Sequence, residues 1–240
     1  MLIAGCGTGQ WAVEAARRFP EAKILAIDIS LSSLGYAARK AREAGIGNIE
    51  FAQGDILKVG EIGRSFDVIE SSGVLHHLVE PLTGWRALLA VLRPNGFMEI
   101  GLYSEAARRH VVAGRDYIAE RGYSATPDDI RRFRQDIVAM PADAPLKTLA
   151  AGDFFSLSAC RDLLFHVQER RFSLPEIKEF LDRERLRFLG FNLPDGMIDR
   201  YSARFPQDKS LTDFDLWHEF ETDNPYTFGG MYQFWVQREG

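Results

Sequence analysis

The chain is poor in the features that mark several common protein classes. Its 240 residues hold two cysteines, Cys6 and Cys160, which give neither a disulfide framework nor the paired spacing of a zinc site. No apolar run approaches the roughly 18 residues of a membrane span, and no secretory leader pattern is present. Basic residues are not in excess. Lys and Arg number 29 against 34 Asp and Glu, for a formal net charge of −5, so nothing in the bulk charge draws the chain to nucleic acid or anionic lipid. Repeats and low-complexity tracts are missing, and the composition reads as cytoplasmic. Chain ahead of the first apolar segment is also missing. What remains is 46% hydrophobic and 12% aromatic, the make-up of a globular protein with a sizeable core. The length suits one domain of about 150–250 residues, or a domain with a large insertion.

The first thirty residues organise the rest. Met1–Ala4 is a short apolar strand, followed by the turn Gly5-Cys6-Gly7-Thr8-Gly9-Gln10. Trp11, Ala12, Ala15, Ala16 and Phe19 then recur at helical spacing, and a second strand, Ile24–Ile27, ends on Asp28. Strand, glycine turn, helix, strand and acid form the first half of a nucleotide-binding unit. Glycines let the backbone approach a ligand, and the helix start offers unpaired N–H groups and partial positive charge. A dinucleotide fingerprint would need a small residue at position 10, where Gln10 stands.

The pattern G-x-G-x-G with Asp28 following resembles motif I and the second-strand acid of the class I S-adenosylmethionine-dependent methyltransferases. The resemblance implies that Gly5, Cys6, Gly7, Gly9 and Gln10 lie against the amino-acid part of S-adenosylmethionine. Asp28, with Ile29 beside it, would hold the ribose. After the third strand, Ile49–Ala52, comes Gln53-Gly54-Asp55-Ile56. By the same resemblance Asp55, flanked by Gly54 and Ile56, would meet the adenine amino group; a plain turn is the alternative. Phe66–Glu70 running into Ser71-Ser72-Gly73-Val74-Leu75-His76-His77-Leu78 resembles the family's fourth motif. That adds Ser71 and Ser72 to the cofactor set and His76 as the catalytic candidate, with His77 the less favoured neighbour. A capped or surface histidine is the bland reading of either.

Between and beyond these motifs, Ser30 caps a helix facing inward through Leu31, Leu34, Ala37, Ala38 and Ala41. Pro81 starts another with the stripe Leu82, Trp85, Leu88, Leu89 and Leu92, and Arg93-Pro94-Asn95-Gly96 turns into strand five, Phe97–Tyr103. Residues 105–172 match no core element of the resembled fold. They read as a helical insertion building a substrate lid, with helices near Ala106–Tyr117 and Ile130–Met140. Arg161, Asp162 and His166 are candidates for its inner face, while Arg108-Arg109 and Arg131-Arg132 read as solvated helix faces. Ser173 with Glu176 forms a capping box, Arg187–Phe191 a sixth strand and Met231–Gln237 a final antiparallel one. The expected architecture is a Rossmann-like doubly wound α/β sandwich with a mostly parallel seven-stranded sheet, its core in residues 1–104 and 173–240.

The expected chemistry is transfer of a methyl from S-adenosylmethionine, leaving S-adenosylhomocysteine, to an unidentified small-molecule or protein acceptor. It needs no metal, and the sequence shows no metal-ligand spacing. Ile3 stands where many relatives carry an acid, and the start at the first strand suggests a fragment. The segments Ala4–Gln10 and Gly101–Glu105 also resemble bacterial methyltransferase domains carried behind tetratricopeptide repeats, which would put a helical-repeat region before this chain. Asp223-Asn224-Pro225-Tyr226 departs in sequence and place from the motif of DNA amino-methylating enzymes. Trp217 and Tyr226 read better as packing. The rival reading is a binding or scaffold module that keeps the fold without catalysis.

Overall fold

The computed structural model describes residues 1–165 and 169–239, so His166 lies outside the described residues. The first half runs β1 (Leu2–Ala4), α1 (Gln10–Arg18), β2 (Ile24–Asp28), α2 (Leu31–Glu43), β3 (Ile49–Gln53), β4 (Phe66–Ser72), α3 (Pro81–Ala90) and β5 (Leu92–Tyr103). Then come α4 (Arg109–Arg121), α5 (Pro127–Ala139), α6 (Leu157–Leu164), α7 (Leu174–Glu184), β6 (Leu186–Phe191), α8 (Met197–Arg204), α9 (Phe214–Asp223) and β7 (Met231–Arg238). The strands form a single seven-stranded sheet in the order β3-β2-β1-β4-β5-β7-β6. β7 runs antiparallel to both its neighbours, and the remaining pairs are parallel.

Local chemistry accounts for the element ends. Ser30 accepts from the Ser33 N–H at the start of α2, and Ser173 with Glu176 forms the capping box of α7. Leu92 opens β5 instead of closing the stripe of α3. It pairs with Phe66 while Phe97 pairs with Val68, so Arg93–Gly96 loops out between them, with Asn95 at φ 61°. Arg93 clamps that bulge through a 2.6 Å bond to Asp67. Two helices that the sequence did not suggest, α8 and α9, fill the connection from β6 to β7. Trp217 of α9 is buried and stacks on Tyr201 at 3.5 Å.

One face of the sheet carries the main core, where Leu2, Ile27, Ile69, Ile100 and Phe234 meet Trp85, Ile177, Phe180 and Trp217. On the other face, Ala12, Ala15 and Ala16 of α1 pack on Ile3, Ile24 and Ala26. Alanines hold α1 close to the strands, so Trp11 falls on its flank, 61% exposed instead of inward, and Phe19 is exposed too. Beside α1, the same face of β4, β5 and β7 lies bare as a groove of about 1540 Å³, bordered by Trp11 and floored by Glu70, Glu99 and Trp235. Among the described residues no helix is long and apolar enough to cross a membrane.

Residues 105–172 have a core of their own, built from Val111, Ile118, Ile130, Phe133, Ile137, Phe154 and Leu164. The chain leaves the sheet after Tyr103 and returns beside it: the Phe172 N–H donates to the Tyr103 carbonyl at 2.8 Å and the Glu105 N–H to the Phe172 carbonyl at 2.9 Å.

Candidate cofactor and acceptor site

The turn between β1 and α1 is tied to the end of β2. The N–H groups of Gly5 and Cys6 both donate to the Ile27 carbonyl, at 2.8 and 2.9 Å. Asp28 then closes the assembly: Oδ2 accepts from the Gly7 N–H at 2.7 Å and Oδ1 from the Ser30 N–H at 2.9 Å. The turn needs left-handed backbone at Gly5, Gly7 and Gly9, with φ of 85°, 52° and 82°. Gly9 starts α1 without any side-chain cap, leaving first-turn amides and the positive helix end for an anionic or carboxylate group. A Cβ at Gly7 would meet no atom within 4 Å, so the chain runs open to a ligand there. Cys6 lines the turn as a neutral thiol, pushed up to about 11 by burial and then by the Asp28 charge.

The other expected residues divide. The Gly54 N–H donates to the Asp28 carbonyl at 3.1 Å, bringing the tip of β3 beside that of β2. Asp55 caps the short 3-10 turn Ile56–Ile62 by accepting from the Leu57 N–H at 2.9 Å. Ile29 and Gln10 are exposed next to these tips. Ile56 is packed into the main core. The Ser71 hydroxyl is buried and donates to the Ala4 carbonyl at 3.2 Å, joining β4 to β1. For these two, only the backbone is left for a ligand. Ser72 lies half-buried on the grooved face.

Beyond β4, His76 is 0% exposed and its ring stacks on Tyr103 at 3.6 Å. A ring so enclosed cannot meet an acceptor as it stands; His77, half-buried, is the member of the pair with accessible surface. Arg108 covers the Tyr103 ring, its guanidinium carbon 3.7 Å from the centroid. Arg108 is thus buried, not part of a solvated face, because Glu169 draws it in with two bonds of 2.9 and 2.7 Å. Burial pushes the Tyr103 hydroxyl pKa up, while Arg108 pulls the other way. Arg109, Arg161 and Asp162 are exposed, as are Arg131 and Arg132. Tyr226 is exposed as well, and the side-chain amide of Asn224 donates to the Phe220 carbonyl and accepts from Arg200 at the end of α9. The Arg108–Glu169 pair was not visible in the sequence, since its members lie 61 positions apart with no motif joining them.

Residues 1–96 match the family model described as a methyltransferase domain. An uncharacterised protein of Synechococcus is 32% identical over 80% of this chain and 48% of its own length. Trans-aconitate 2-methyltransferase of Deinococcus radiodurans is 32% identical over 52% of the chain and 42% of the relative. The chain therefore spans about half the length, or less, of these curated relatives. Among solved structures, PKMT2 from Rickettsia typhi in complex with AdoHcy superposes with a TM-score of 0.74 at 16% identity, over 99% of this chain and 48% of that one. Residues 1–96 thus match a methyltransferase domain, and the sheet has the Rossmann-like order of the methyltransferase fold.

Proposed function

We propose that this chain is the catalytic core of a methyltransferase that moves a methyl group from S-adenosylmethionine to an acceptor bound under residues 105–172. The observation carrying the reading is the joint placement of an open glycine turn, an uncapped helix start and the Asp28 carboxylate at adjoining strand tips. These residues fit the cofactor: Gly7 and the first amides of α1 suit its amino-acid end, and Asp28 its ribose. Asp55, Gly54 and Ile29 border the same tips and suit the adenosine. The cofactor supplies an activated methyl on a sulfonium. The protein's part is to bind, orient and keep water out, placing an acceptor atom about 3 Å from that methyl. Tyr103 and His77, half-buried beyond β4 and β5, are our candidates to meet an acceptor, with His76 stacked on Tyr103 as a positioning residue.

Thermal unfolding with ligands separates the readings. S-adenosylhomocysteine is expected to raise the melting temperature while NAD leaves it unchanged. Stabilisation by NAD alone would favour a nicotinamide enzyme. No response to any of these ligands, in this chain or in a longer polypeptide containing it, would leave the scaffold reading standing.

A further inference from the structure

At the root of the insertion three guanidinium groups share one carboxylate. The Glu169 side chain, 1% exposed, accepts two bonds from Arg108, at 2.9 and 2.7 Å, and one from Arg115 at 2.9 Å. Arg171 stands 3.8 Å from its other oxygen. One acid cannot neutralise three bases, so the cluster holds surplus positive charge. The further acid felt at Tyr103, Asp153, is exposed and screened by solvent. Arg108 is also the N-cap residue of α4, whose start has no side-chain cap, so the positive helix end adds to the surplus. Nε of Arg115 is buried with no hydrogen-bond partner among the described residues. Buried like charges cost stability unless a counter-charge joins them. The three arginines differ in commitment: Arg108 is spent on Glu169 and Tyr103; Arg115 gives one terminal nitrogen to Glu169 and to the Leu163 carbonyl at 2.9 Å and keeps 20% of its side chain exposed; Arg171 keeps 29%.

We propose that Arg115 and Arg171 form a subsite for a carboxylate group of a small-molecule methyl acceptor. Planar guanidinium forks match a carboxylate in charge and shape. The stack of Arg108, Tyr103 and His76 connects this subsite to the carboxyl ends of β4 and β5, where the Gly73 N–H donates to the Gly101 carbonyl. The anchored carboxylate would thus hold the rest of the acceptor against the tips that border the cofactor turn. This inference rests on the methyl-transfer reading.

The test is calorimetry on the protein saturated with S-adenosylhomocysteine, titrated with succinate, citrate or malonate and with the uncharged diamides of succinate and malonate. At least one acid is expected to bind at least tenfold more tightly than the diamides. Arg171→Gln should weaken that binding tenfold or more without altering S-adenosylhomocysteine affinity. Arg115→Lys, which keeps the charge and loses the fork, should weaken it less. Acids binding no better than diamides, or an unchanged affinity in Arg171→Gln, would overturn the proposal. So would inorganic phosphate binding as tightly as the best acid, which would mark a general anion site. If S-adenosylhomocysteine itself fails to bind, the fault lies with the cofactor reading, so the two failures are distinguishable.

Discussion

Gly5, Gly7 and Gly9 look equivalent in the sequence and do different work. A Cβ at Gly5 would sit 2.3 Å from Val74, and one at Gly9 would sit 2.5 Å from Ala37. Both glycines serve close packing, so Gly5→Ala and Gly9→Ala should each cost about 2–4 kcal/mol, from the left-handed backbone and the overpacking together. Gly7 has open space and should cost only about 1–2 kcal/mol for its backbone. Its substitution should show mainly as lost cofactor affinity. Denaturant unfolding of the three variants checks this ordering, and a Gly7→Ala as unstable as the other two would contradict it. The pattern itself was legible because glycine spacing and a strand-end acid are local signals. The division of labour was not, because Val74 and Ala37 reach the turn from other elements. Ser71 and Ile56 illustrate the same limit: a motif gives the position of a residue, whereas its facing depends on strand and helix packing.

The elements most readable in sequence were those with apolar periodicity and a cap, such as α2 behind Ser30 and α7 behind its capping box. The connection from β6 to β7 was not readable as helices, since α8 is short and buries little beyond Tyr201. Residues 105–172 were recognisable only by failing to match a core element. Their fastening to the sheet depends on contacts distant in sequence. Arg108, held by Glu169, covers Tyr103 of β5, and the Ala107 N–H donates at 3.1 Å to the Ser104 hydroxyl, which itself donates to the buried Glu221 at 2.7 Å. Arg108→Ala would remove the two bonds to Glu169 and leave that acid to Arg115 at 2.9 Å and Arg171 at 3.8 Å, a loss of about 1–3 kcal/mol. The insertion core is small and separate, so its amides should open at lower free energy than those of β5. Hydrogen exchange is expected to show fast amides in α4–α6 that slow when cofactor and acceptor are both bound. Protection equal to that of Phe97–Tyr103 without ligand would make the insertion fixed structure instead of a lid.

At the scale of the whole molecule, one half of one sheet face is bare, and two carboxylates stand on it in register. Glu70 pairs with Glu99 across β4 and β5. Burial and then the Glu99 charge raise Glu70 from 4.5 to about 7. The folded chain therefore holds a proton that the unfolded chain has released between those two values. Stability contributed at Glu70 is highest below about pH 4.5 and falls as pH rises through about 7, by up to about 3 kcal/mol. Glu70→Gln should remove most of that slope and stabilise the chain at pH 8; unfolding curves at pH 5 and pH 8 would show it, and an unchanged slope would refute the assignment. The central claim, that the glycine turn and Asp28 hold S-adenosylmethionine, is tested most directly by titrating the chain with S-adenosylhomocysteine in a calorimeter. Binding is expected, and Asp28→Ala, which removes a charged acceptor worth about 1.5–3 kcal/mol, should weaken it at least about tenfold. Asp28→Asn keeps a carbonyl for the Gly7 N–H and separates loss of turn geometry from loss of the ligand contact. Equal affinity in the wild type and a folded Asp28→Ala protein would contradict the account.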